Sequence, residues 1–253
     1  MNAEQRRLKI VEITKSEKKV TVNHLASMFA TSKETIRRDL AVLSEKSLLR
    51  KVHGGAAALQ NAIESPISNR YKECSDEKKR IADYAASLLN PGDSVFIDTG
   101  STTYALCEGL CKKQGLTIVT NSLQLTLDLG GRSNHTIYLV GGQYNDQALE
   151  MVGHLTLEAI NKFHCDHAVI TVGAIDIRDG CMDYNMDEAS IATAMIAKAR
   201  SVTILADYSK IGQKALCAVC DLSKVTRLIT DRAVNSEFSV ELAKRGVELV
   251  VAP

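Results

Sequence analysis

TSKETIRRDLAVLSEKSLLR, residues 31–50, is the stretch on which the reading of the whole chain turns. Ile36, Leu40 and Leu43 recur at i, i+4 and i+7, an apolar stripe of a helix that must face a small core. Thr31 and Glu34 stand at capping-box spacing at its start, and Ser32 is an equally good cap. Outside the stripe lie Ser32, Lys33, Glu34, Thr35, Arg37 and Arg38. A helix face of hydroxyls and paired guanidiniums suits a major groove, where arginine forks match guanine edges or phosphates. Taken alone, such a face reads as solvated surface. The preceding residues decide otherwise: Val22, Leu25, Ala26 and Phe29 follow i, i+3, i+4, i+7 and predict a helix of about two turns. Only Ala30 and Thr31 separate the two helices. Two amphipathic helices joined this tightly, the second basic on its outside, are the pattern of a helix-turn-helix.

Further upstream, Leu8, Ile10, Val11 and Ile13 predict a first helix from about Glu4 to Ser16, which closes a three-helix core. Lys18 and Lys19 lead from it into the helix pair. Downstream, LLRKVHGG (residues 48–55) holds two short strands' worth of β-capable residues ending in a glycine pair, and is expected to form a wing. From a wing, Arg50, Lys51 and His53 reach backbone phosphates or a minor groove. Charge is distributed accordingly. Residues 1–60 hold 12 of the 31 Lys+Arg and 6 of the 30 Asp+Glu, net +6, which leaves residues 61–253 at net −5. The overall +1 therefore hides a basic head on an acidic body, the asymmetry expected of a partner for double-stranded DNA.

The chain has 253 residues, 45% hydrophobic and 24% charged, enough for one large domain or for a small and a medium one. No apolar run approaches the roughly eighteen residues of a membrane span, and MNAEQRRLKI lacks the apolar core of a signal peptide. A cytoplasmic protein with no membrane partner is expected. Seven cysteines, an odd number, make a disulfide framework unexpected in a reducing compartment. Cys217-x-x-Cys220 has metal-ligand spacing and His164-Cys165-x-His167 offers further ligands, but no second CxxC accompanies them and Cys217 stands among Ala215, Leu216, Ala218 and Val219. Core packing is the better reading there, as it is for Cys107 and Cys111 on one helix. Neither a metal nor a cofactor is expected.

Periodicity fails from Ala56 to Ser75, where Gln60, Asn61, Ser65, Pro66, Ser68 and Asn69 intervene. The boundaries that follow are a head at 1–57, a linker at 58–75 and a second domain at 76–253. Ser75-Asp76-Glu77-Lys78 opens a helix with Ile81, Ala82, Ala85, Leu88 and Leu89 on its apolar side, stopped by Asn90-Pro91-Gly92. Thereafter β-branched runs alternate with helical patterns: 95–97, 117–119, 137–140, 168–172, 202–206, 227–230 and 248–251. Such alternation specifies an α/β domain with a largely parallel sheet, whose ligand sits beyond the strands' C-terminal ends. Polar or glycine-rich residues occupy five of those ends. Asp98-Thr99-Gly100-Ser101-Thr102-Thr103 follows the first and precedes a helix running to about Cys111, a phosphate cradle of backbone donors and hydroxyls. Thr120-Asn121-Ser122, Gly141-Gly142, Gly173 and Asp207-Tyr208-Ser209-Lys210 follow the next four, with Lys210 as the phosphate counter-charge. Asn121, Asp183 and Glu188 are expected to read hydroxyls.

With both halves in view, the chain resembles the DeoR family of bacterial transcription regulators over almost its full length. SKETIRRDL followed by RKVHGGAA is close to that family's N-terminal signature, and DTGSTT, TNS, the GG pair and ADYSK follow in the family's order. The resemblance implies a winged helix-turn-helix joined to an α/β domain like ribose-phosphate isomerase, and a repressor released by a phosphorylated sugar or polyol. DGCMDYNMDEA (179–189), with Lys210, is similar to the branch responding to glycerol phosphate or phosphorylated sugars. Effector roles for Gly100, Ser101, Thr102, Asn121, Glu188 and Lys210 follow from the resemblance, as does the sign of regulation.

The isomerase-like fold raises an alternative, a sugar-phosphate isomerase with an appended head. Isomerisation needs a base to move a proton and a cation to steady the enediolate. After Gly173-Ala174-Ile175-Asp176 no lysine occurs until Lys198, and Asp183, Asp187 and Glu188 serve equally as hydroxyl acceptors. Catalysis is therefore not expected. A single winged helix covers too little DNA for a gene-specific address, so a homodimer or homotetramer on a palindromic operator is expected.

Overall fold

The computed structural model describes residues 2–17, 19–45, 48–57 and 67–253. Lys18, and residues 58–66 of the expected linker, lie outside the described residues. The chain divides into two compact units, residues 1–65 and 66–253.

The first unit holds α1 (Ala3–Glu17), β1 (Lys19–Thr21), α2 (Val22–Met28), α3 (Lys33–Glu45), β2 (Arg50–Val52) and β3 (Gly55–Ala57). Ile10, Leu25, Ile36, Leu40, Leu43 and Leu49 are buried at its centre. The turn between α2 and α3 is made by Ala30 in the left-handed region (φ 46°), while Thr31 N–H donates to the Ala26 carbonyl at 3.0 Å. The cap of α3 is Ser32, whose Oγ accepts from Thr35 N–H at 3.1 Å. The expected Thr31–Glu34 box gives way to it, because Glu34 turns to Arg37 and Arg38, at 3.4 and 3.8 Å. The wing also differs in detail from expectation. Of its glycine pair, Gly54 lies in the turn between β2 and β3 and Gly55 opens β3, and the residues leading into α2 add a third strand, in the order β1-β3-β2. Gly55 is needed where they meet, since a Cβ there would stand 1.9 Å from the Val20 carbonyl oxygen.

The second unit runs α4 (Ile67–Arg70), α5 (Ser75–Ser87), β4 (Ser94–Ile97), α6 (Ser101–Tyr104), α7 (Cys107–Cys111), β5 (Thr117–Thr120), α8 (Leu123–Leu129) and β6 (Thr136–Leu139). A hairpin of β7 (Gln143–Asn145) and β8 (Glu150–Val152) follows, then α9 (His154–Ile160), β9 (Cys165–Thr171), β10 (Ala174–Asp176), β11 (Gly180–Asp183) and α10 (Met186–Ala197). The chain closes with β12 (Ala199–Leu205), β13 (Cys217–Cys220), β14 (Arg227–Thr230), α11 (Ser236–Lys244) and β15 (Glu248–Val251). The helix α4 lies within the span read as linker; Ile67 is buried, and α5 follows after a four-residue turn.

The seven predicted strands form one sheet, in the order β15-β14-β12-β9-β4-β5-β6, with every neighbouring pair parallel. Alternation splits its side chains between two cores. Phe96, Ala168, Ile170, Val202 and Ile204 face α9, α10 and α11, and Val95, Ile97, Val169 and Leu205 face α5, α7 and α8. From β4 the chain winds outward through β5 and β6, then returns to β9 and winds the other way, so the strand order reverses between β4 and β9. At such a reversal the connections leave in opposite directions and open a crevice at the strands' C-terminal ends. A smaller antiparallel sheet, β10-β11-β13, was not foreseen, nor was the β7-β8 hairpin.

Candidate functional site

The crevice begins with Asp98, the first residue beyond β4. Its Oδ2 accepts from Thr171 N–H at 2.9 Å and from Thr171 Oγ1 at 3.1 Å, tying the ends of β4 and β9 across the reversal. Burial pushes the Asp98 carboxyl well above the usual range, against the two hydrogen bonds from Thr171. Its other oxygen, Oδ1, is buried without a partner. Gly100 permits this junction, because a Cβ there would stand 2.1 Å from Thr171 Oγ1. It precedes α6, whose first-turn N–H groups have no partner within so short a helix.

The hairpin supplies the next wall. Residues 121–122 lie beside β8, with Met151 N–H donating to the Asn121 carbonyl at 2.9 Å. That apposition sets Asn121 against Glu150: the amide Nδ2 donates to Glu150 Oε2 at 3.1 Å and to the Met151 carbonyl at 3.2 Å. Both amide hydrogens are thereby engaged, leaving Asn121 Oδ1 as a second buried acceptor without a partner. Glu150 is fully buried, and burial pushes its carboxyl up to about 7 despite hydrogen bonds from Asn145 and Asn121. The third wall comes from β11 and α10. Asp183 accepts from Gly173 N–H at 3.2 Å and Tyr184 N–H at 2.6 Å, and Glu188 stands in the first turn of α10, capped by Asn185.

Asp98, Thr99, Asn121, Asp183 and Glu188 thus line one narrow cleft, together with Glu150, Thr171 and Ile191. Other expected residues serve the walls. Thr103 Oγ1 donates to the Gly100 carbonyl at 3.1 Å, and Ser122 Oγ caps α8 by accepting from Leu125 N–H at 3.2 Å. Gly142 passes close to Thr156, and Gly173 lies under the Tyr184 ring, where a Cβ would come within 2.8 Å. Lys210 lies outside the cleft lining, in a one-turn helix at 208–210, in the electrostatic neighbourhood of Lys78.

Sequence reasoning missed Glu150, Thr171 and Lys78. Lys78 belongs to a run, Lys78-Lys79-Arg80, that reads as solvated surface. Only Lys78 is buried, its Nζ donating to the Arg70 carbonyl at 2.6 Å, and burial lowers its ammonium against the pull of Asp207. Lys79 points outward to Glu108 at 2.8 Å. No spacing in the sequence distinguishes the two.

In the head, Ser32, Lys33, Glu34, Arg37, Arg38, Arg50, Lys51 and His53 are exposed and Thr35 is half-buried. Beside the exposed arginine pair, Asp39 is 1% exposed and takes Arg6 Nε on one oxygen and Arg7 Nε on the other, each at 2.7 Å. That bidentate clamp fixes α3 on α1 and went unread in the sequence.

A winged helix-turn-helix unit followed by a parallel α/β unit with a polar crevice at its strand reversal defines the class: a DNA-binding protein with a small-molecule site. The DeoR-like helix-turn-helix domain matches residues 6–62, and the DeoR C-terminal sensor domain matches residues 73–232. The transcriptional repressor GlcR of Bacillus subtilis (strain 168) is 32% identical over 253 residues, covering 99% of this chain and 97% of that one. The glycerol-3-phosphate regulon repressor of Escherichia coli (strain K12) is 32% identical over 231 residues, 91% and 92% of the two chains. Among solved structures, a probable sor operon regulator from Shigella flexneri is similar at 18% identity and a TM-score of 0.41, covering 67% of this chain and 90% of that one. Ribose 5-phosphate isomerase A of Methanocaldococcus jannaschii is similar at 13% and 0.41 over 55% of each chain. This chain belongs to the DeoR family and is a DNA-binding transcriptional regulator.

Proposed function

We propose that the chain is a cytoplasmic, homo-oligomeric repressor of a sugar or polyol catabolic operon, released from its operator by a phosphorylated sugar or polyol bound in the crevice. The observation that carries this reading is the pair of buried, unpartnered acceptors in the cleft, Asp98 Oδ1 and Asn121 Oδ1. Buried polar atoms are rarely left without a hydrogen bond, and a ligand's hydroxyl hydrogens satisfy both. Asp183 and Glu188 add carboxylate acceptors suited to the same hydroxyls. The phosphate is assigned to the Gly100-Ser101-Thr102 backbone, with Lys210 as counter-charge and the buried Lys78 as a second ammonium nearby.

The domain limits that go with this reading are a DNA-binding head at 1–57, a connecting segment at 58–75, and an effector-binding and oligomerising domain at 76–253. In the head, Lys33, Arg37 and Arg38, with Ser32, Glu34 and Thr35 beside them, read the major groove, and Arg50, Lys51 and His53 hold phosphates. Ligand binding need change the operator complex by only about 1–3 kcal/mol, roughly 5- to 150-fold in affinity, to act as a switch.

The test combines thermal stabilisation by a panel of phosphorylated trioses, pentoses, hexoses and polyols with operator release on the same sample. A phosphorylated member raises the unfolding temperature and releases DNA, its unphosphorylated counterpart does neither at the same concentration, and Lys210→Ala raises the effector concentration needed. Turnover of a sugar phosphate at ordinary enzymatic rates, abolished by Glu188→Gln and without effect on DNA binding, would overturn the reading.

A further inference from the structure

The small sheet behind the crevice carries a feature that effector sensing does not use. Cys181 on β11 and Cys220 on β13 are directly opposed in antiparallel register. Residues so paired project to the same face of a sheet with their Cα atoms about 4.5–5.5 Å apart, inside the range over which disulfides form. The strands are held close at this point by Gly180 (φ 80°), where a Cβ would stand 2.3 Å from the Cys220 carbonyl oxygen. The register shifts between Cys181 and Met182, where Val219 is the extra residue of β13, a bulge that bends β13 beside the pair. Cys181 is buried at 1% exposure, whereas Cys220 is only half-buried, so one thiol is reachable and the other waits behind it. Neighbouring Cys217 faces Asp183 in the same register and is buried, which leaves Cys220 as the cross-strand partner of Cys181.

We propose that Cys181 and Cys220 form an oxidation site, a reversible dithiol–disulfide couple whose oxidant is a small hydroperoxide. The more accessible Cys220 is the attacking sulfur. A hydrogen bond from Cys181 lowers its thiol, against burial and the neighbouring Asp221 carboxylate. The Cys220 thiolate attacks one peroxide oxygen, the O–O bond breaks, and Cys220 becomes a sulfenic acid as hydroxide leaves. Cys181 sulfur then attacks the Cys220 sulfur. The S–S bond forms, the S–O bond breaks, and the departing hydroxide takes the Cys181 proton. Two thiols have lost two electrons and two protons, and hydrogen peroxide has become two waters. A thiol reductant reverses the couple. The bridge lies two residues from Asp183, so oxidation ties down the strand that supplies one wall of the crevice.

The experiment treats the reduced full-length protein with hydrogen peroxide under native conditions, blocks remaining thiols with iodoacetamide, and maps the digest by mass spectrometry. The expected result is loss of two of the seven thiols, with peptides bearing Cys181 and Cys220 joined, 2 Da below their summed mass, and separated by dithiothreitol. Because Cys217 shares a tryptic peptide with Cys220, Cys217→Ala must retain the link and Cys220→Ala must lose it. If the wild-type protein oxidises at the exposed Cys74 or elsewhere while Cys181 and Cys220 are recovered alkylated, the proposal is overturned. A link from Cys181 to Cys217 overturns it equally.

Discussion

Glu150 stands in surroundings far from those its residue type would lead one to expect, a carboxyl buried in the cleft wall. A carboxyl raised from 4.5 to about 7 in the folded protein is protonated there while the unfolded chain has already ionised. Between these values the folded state binds more protons than the unfolded one, so the Glu150 contribution to stability falls as pH rises from about 4.5 through about 7, then levels off. The span corresponds to about 3 kcal/mol at most. Glu150→Gln removes the titration, and its single carbonyl oxygen keeps one of the two bonds that Asn121 and Asn145 donate. Whatever the offset between the two proteins at the acid end, unfolding temperatures measured from pH 5 to 8 should fall more steeply for the wild type than for the variant. Equal slopes would show that Glu150 ionises freely in the fold. Asp98 carries a shift in the same direction and remains in both proteins, so the difference isolates Glu150.

Among elements, α3 shows how one helix divides its faces. Ile36, Leu40 and Leu43 anchor it by burial, and Asp39, on the same side, anchors it by charge through Arg6 and Arg7. Removing the carboxylate leaves two unpaired guanidiniums, 14% and 34% exposed, so the cost lies below the about 3–5 kcal/mol of a fully buried pair broken on one side. Asp39→Ala should therefore loosen α1 from α3. Amide exchange in both helices accelerates by at least tenfold, and operator affinity falls although no exposed residue has changed. Exchange confined to wild-type rates in α1 would mean that apolar packing alone holds it. The i+3 spacing from Ile36 to Asp39 was visible in the sequence, but an aspartate there looks the same whether it meets water or two arginines some thirty residues earlier.

At the level of the whole molecule, net +6 on residues 1–60 and −5 on the remainder confine nucleic-acid affinity to the head. Each neutralised phosphate adds about 0.9 to the slope of log affinity against log salt. Lys51→Ala should weaken all sequences alike and reduce that slope by about one. Arg37→Ala and Arg38→Ala should each cost about 1–3 kcal/mol where the guanidinium reads a base, and relax specificity at a defined operator position. Operator titrations at several salt concentrations, with matched and mismatched sites, separate the two behaviours. Unchanged binding by the double arginine variant would remove α3 as the recognition helix.

What the sequence determined by itself was everything carried by local periodicity and by contiguous motifs. A stripe at 3.6-residue spacing specified three head helices, and β-branched runs specified all seven strands of the parallel sheet, because each pattern records which side of one element is buried. The strand ends likewise marked Asp98, Thr99 and Asn121, which line one cleft. Tertiary structure alone decided the rest. Glu150 reaches Asn121 only because a hairpin folds back beside residues 121–122. Asp98 meets Thr171 only because the strand order reverses between β4 and β9. Lys78 differs from Lys79 only by the direction in which α5 presents it. A side chain's hydrogen-bonding inventory is a property of its type, but its partners, its solvation and therefore its charge are set by residues distant in the chain, which no local pattern encodes.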